Sequence, residues 1–164
     1  PSEDLERTIT NGRIETMSVI VAMNNFLQQF IPNQIGRYTD EFYPTATGDN
    51  FQKLGYNTIL IESGHYPQDY HREESRKYTF FSILQGVYHI ANTSNFDNYK
   101  DYLTIPNNDK IFFDVIHRYP NSSNDVSFQY EEKIIDGKFV SKLNKTDEYR
   151  LNLKIGHSEI VIDR

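Results

Sequence analysis

Tyr56-Asn57-Thr58-Ile59-Leu60-Ile61-Glu62-Ser63-Gly64-His65-Tyr66 is the stretch on which the fold turns. An apolar run at 56–61 reads as a buried β-strand, entered after Gly55 and delivering the carboxylate of Glu62 at its C-terminal edge. Open α/β sheets place their ligand sites at such strand ends. An ionised carboxylate is seldom buried without a partner or a task, because it gives up strong hydration. Two readings of Glu62 stay open: a catalytic acid or base, or a structural carboxylate salt-bridged to Arg72 or Arg76.

Upstream, Ile14, Met17, Val21, Phe26 and Phe30 recur near helical spacing, which predicts a core helix over 14–30 that ends before Pro32. The segment 33–54 loses that period. It carries Arg37, Tyr38, Asp40, Glu41, Tyr43, Asp49 and Asn50, a composition that suits either a binding loop or a structural crossover. Asp49 could cap a short segment at 50–54. Downstream, Glu73 and Glu74 open a helix of about 74–92 whose apolar side reads as Tyr78, Phe81, Leu84, Val87, Tyr88 and Ala91, with Glu73 and Lys77 as an i,i+4 pair.

A polar shift at Thr93–Asn98 suggests a boundary, with an α/β part over 1–98 and a β-rich part over 99–164. Strands are expected at 110–117, 125–135, 138–143, 149–155 and 159–162. Asp136-Gly137 marks a tight hairpin, and the whole reads as a small antiparallel β unit.

The chain has 164 residues, enough for a real core, with 12 Tyr and 11 Phe but no Trp. A net charge of -6 and no basic cluster argue against a nucleic-acid partner, and no apolar run reaches membrane-spanning length. The absence of cysteine excludes disulfide and thiolate chemistry, yet does not decide between a cytoplasmic and an exported protein. Phosphate-cradling, dinucleotide and nucleophile-elbow motifs are missing as well.

Glu62, His65, Asp69 and His71 form the one dense cluster of potential metal ligands. Zinc takes three such side chains and a water, but Pro67 interrupts the cluster and no compact ligand pair is present. A surface loop with ordinary histidines is the simpler reading. His89, His117 and His157 read as hydrogen-bonded structural histidines.

Taken together, the segments 38–51 and 58–66, with Phe112–Ile116 in the tail, resemble the C-terminal part of an M14-family zinc carboxypeptidase, most nearly the M14-like peptidases of Bacteroidetes. The resemblance implies an α/β fold with a partial mixed-sheet, zinc-carboxypeptidase-like layer before the β unit. It implies zinc held by a His-x-x-Glu pair and a later His, with Glu62 activating the attacking water. It also implies a substrate-closing tyrosine, Tyr43 in preference to Tyr38, and a share for Arg37 in binding the substrate's terminal carboxylate.

One departure matters. His71-Arg72-Glu73-Glu74 has the letters of the zinc pair but follows the Glu62 strand instead of preceding it. The family's metal half would then lie before Pro1, so the chain is expected to be a C-terminal fragment. Alone it should be inactive and hold no zinc, with an open sheet edge inviting self-association. The parent's substrate would be a peptide or amide. A non-catalytic module binding peptide or glycan, a zinc amidase and a ligand-free structural domain are the competing readings.

Overall fold

The computed structural model describes residues 1–122 and 124–163. Among the described residues the protein is mixed α/β, with four helices and a four-stranded mixed sheet. It divides into two compact units: residues 1–64 with 73–109, and residues 65–72 with 110–164.

The first unit is helical. Helix α1 (Asn11–Leu27) begins at Thr10, an extended N-cap whose hydroxyl accepts from the Arg13 amide. It ends three residues earlier than the apolar spacing predicts, and Met17, Val19, Val21, Met23 and Leu27 are buried along it. Arg13 is buried too, held by Asp40 at 2.6 Å. Helix α2 (Thr47–Lys53) occupies the segment read as a loop. Asp49 lies inside its first turn, not at its cap, and suits the positive helix end from there. A 3-10 helix, Asp97–Thr104, escaped the sequence reading.

Helix α3 (Glu73–Asn92) forms close to its predicted bounds but is rotated from the expected core face, of which Tyr78 and Phe81 stay half-buried, Phe81 beside Phe30. Its buried residues are Ser82 and Gly86, while Leu84, Val87 and Tyr88 of the expected core face are exposed. Gly86 explains the choice of face: a Cβ there would lie 3.2 Å from the Met23 sulfur and 3.5 Å from Val19, so the missing side chain lets α3 approach α1 closely. His89 completes this contact, with Nε2 3.3 Å from the Ser18 hydroxyl. At its N-terminus the ion pairs are Glu73–Arg76 and Glu74–Lys77, spaced i,i+3, instead of Glu73–Lys77.

The expected buried strand at 56–61 is not formed. Gly55 turns the chain at φ 88°, after which 56–66 lies outside any strand or helix. Leu60 and Ile61 are 54% and 39% exposed. An apolar run becomes a buried strand only beside another strand, and every described strand lies within 112–161. Here the Thr58 amide bonds the Gln52 side chain instead.

The second unit is built on the sheet. Its strands are β1 (Phe112–Arg118), β2 (Asp125–Ile135), β3 (Lys138–Tyr149) and β4 (Ile155–Val161), in the order β3-β2-β1-β4. The β2–β3 turn has φ 49° at Asp136 and 74° at Gly137, both in the left-handed region that an Asp-Gly hairpin turn requires. The sheet is mixed, not antiparallel, because β4 pairs parallel to β1. Residues 150–154, expected to continue a strand, are instead the crossover that permits this. Leu151 anchors the crossover, fully buried with Phe113 and Ile116 in the core.

Arg118 fixes that crossover in place. Nε and Nη2 bond both Glu159 carboxylate oxygens at 2.9 and 2.8 Å. Nη1 reaches Asp125 at 3.1 Å and the Leu151 carbonyl at 2.8 Å, and Nη2 also reaches the Lys154 carbonyl at 2.8 Å. All five donors of the guanidinium are thereby used. Its hydrogen bonds, foremost, hold the Glu159 carboxyl below its ordinary value against the burial that opposes ionisation, with the Gly156 amide and the guanidinium charge adding to the effect.

Candidate functional site

Glu62 sits within this stretch outside any strand, exposed. Its carboxylate makes no hydrogen bond or ion pair with any described residue. The two arginines that could have neutralised it are engaged elsewhere: Arg76 pairs with Glu73, and Arg72 bonds His65. Next in the chain, the Ser63 hydroxyl meets that of Thr79 at 3.0 Å, tying the end of the segment to the first half of α3.

The other candidates are placed by the loop before α2, and most of their polar groups hold that loop together. Arg37 is half-buried. Its Nε donates to the Ile105 carbonyl at 2.7 Å, and its guanidinium lies 5.3 Å over the Tyr102 ring. Burial, foremost, raises the pKa of the Tyr102 hydroxyl above its ordinary value. Tyr43 is half exposed; its amide donates to Asp49 at 2.6 Å and its hydroxyl to Glu41 at 3.1 Å. That Glu41 carboxylate raises the tyrosine pKa, since a phenolate beside it would lose the hydrogen bond and meet a like charge. Tyr38 is 57% exposed. Among the described residues, no hydrogen bond, ion pair or ring contact joins Glu62 to Arg37, Tyr38 or Tyr43.

A groove lined by Ile14, Ser94, Asn95, Phe96, Asp97 and Tyr99 contains none of these candidates.

In the β-rich unit, the segment 65–72 brings titratable groups together. His65 Nδ1 lies 2.8 Å from His157 Nε2, and Arg72 Nη2 lies 3.1 Å from His65 Nε2. Phe112 stacks on both imidazoles at 5.7 Å, and Tyr70 meets His157 edge-on at 5.4 Å. Burial, then the nearby Arg72 charge and His157, lowers the His65 pKa below its ordinary value, with Asp114 opposing. His65 and His157 are 92 residues apart, so no local spacing could have signalled the pair.

These groups do not suit zinc. Both ring nitrogens of His65 are already engaged, one of them by a guanidinium whose positive charge opposes a second cation. Among the described residues, no three His, Asp or Glu side chains converge as a metal site would need. Nor does any helix among them have the length and apolarity to cross a membrane.

In comparisons with protein families, curated proteins and solved structures, no match to this chain is found.

Proposed function

We propose that this chain is the C-terminal portion of a zinc metallocarboxypeptidase that hydrolyses C-terminal peptide or related amide bonds. In this reading residues 56–62 belong to a zinc-carboxypeptidase-like sheet layer completed by residues other than those described. The metal ligands come from those residues too.

The observation that carries the reading is the freedom of Glu62. A carboxylate held by Arg72 or Arg76 would be structural; this one keeps both oxygens available. Glu62 takes a proton from water as the water oxygen bonds the substrate carbonyl carbon. It returns that proton to the amine nitrogen as the carbon–nitrogen bond breaks. Tyr43, half exposed and with its hydroxyl donating to exposed Glu41, closes over the peptide terminus. Arg37 keeps its charge facing the substrate carboxylate while its Nε anchors the loop, and Tyr38 adds an exposed aromatic wall.

The test uses the polypeptide that joins this chain to the metal-binding residues. Glu62→Gln, nearly isosteric but unable to move a proton, should retain zinc and lose turnover by about 10²- to 10⁴-fold. Full activity in that variant rules the assignment out.

A further inference from the structure

Helix α3 turns the wrong side to the protein. Ser82, Gly86 and His89 face α1, while Phe80, Ile83, Leu84, Val87, Tyr88 and Ile90 are each between 49% and 63% exposed. From Tyr78 to Asn92 the helix carries no Asp, Glu, Lys or Arg, so nothing charged solvates the outward side. A surface helix ordinarily shows the reverse pattern.

The outward residues span about three turns, and together they expose on the order of 600 Å² of apolar surface. That is most of the roughly 800 Å² that each partner contributes to a stable interface.

We propose that this face of α3 is an interface between two copies of the chain, packed antiparallel about an axis between Leu84 and Val87. The distribution of charge selects that arrangement. In an antiparallel pair Leu84 meets Val87 of the second copy and Phe80 meets its Ala91, with no charged residue in the seam. Glu73, Glu74, Arg76 and Lys77 then project past the other helix's C-terminal end, and the two helix dipoles oppose favourably. A parallel pair would set Glu73 and Glu74 against themselves. The interface needs neither zinc nor Glu62, so it stands or falls separately from the proposed chemistry.

Because the chain has no cysteine, single cysteines report the geometry cleanly. Sedimentation of the unmodified chain at rising concentration should give twice its 19.3 kDa mass. Under mild oxidation, Leu84→Cys and Val87→Cys chains mixed together should form disulfide-linked dimers, since those two positions face each other across the seam. Glu73→Cys should not, because its two copies would lie on the order of 40 Å apart along the seam. Leu84→Glu should weaken self-association at least a hundredfold while leaving the circular dichroism unchanged, since that side chain faces away from α1. A monomer at every concentration overturns the proposal, whether the face stays bare or is covered from within the same chain. So does cross-linking of Glu73→Cys with itself equal to that of Leu84→Cys with Val87→Cys, or a dimer that survives Leu84→Glu.

Discussion

His65 Nδ1 and His157 Nε2 lie 2.8 Å apart, and Arg72 at His65 Nε2 sets which of the two donates. A guanidinium can only donate, so His65 Nε2 must accept from it. The His65 proton is then on Nδ1, from which it is donated to Nε2 of His157. Protonating His65 would set two donors against each other at Nε2. The chain Arg72 to His65 to His157 ties residues 65–72 to β4.

Stability of the β-rich unit should therefore fall with acidity. The folded pKa of His65 is depressed, so between it and the ordinary value near 6.5 the unfolded chain binds more protons than the folded one. The histidine's contribution is present above about pH 6.5 and is lost as pH falls through the depressed value. Denaturant melts from about pH 8 to about pH 5, followed by the near-ultraviolet signal of the sheet's tyrosines, should show this decline. His65→Gln should flatten it, and an unchanged slope in that variant would assign the effect to other groups.

Arg118 should resist conservative replacement. Lysine keeps the charge but cannot bond Glu159 with two donors while also reaching Asp125 and the Leu151 and Lys154 carbonyls. Arg118→Lys should cost about 2 kcal/mol, read as a lower denaturation midpoint at constant m-value. A change within error would mean that the crossover is held by Leu151 alone.

The parts of the fold legible in the sequence are those governed by local rules. Strand β2 and the Asp136-Gly137 turn follow from alternation and from the φ values that only certain residues tolerate. The extent of α3 follows from spacing and its acidic start. Its orientation does not, because Gly86 and Ser82 chose the face by allowing close approach, and a hydrophobic pattern cannot reveal that. The parallel β4 was hidden for a related reason: Leu151 looks like a strand residue but is buried in a crossover. Glu62 was visible as a carboxylate ending an apolar run, whereas its lack of a cation partner depended on Arg72 choosing His65 and Arg76 choosing Glu73.

Zinc analysis of this 164-residue chain tests the central claim most directly, namely that it supplies the proton-transferring carboxylate while the metal ligands lie in other residues. After exposure to zinc and removal of free metal at neutral pH, the metal content should fall well below one per chain, with no hydrolysis of peptide C-termini. One tightly held zinc per chain would contradict the account.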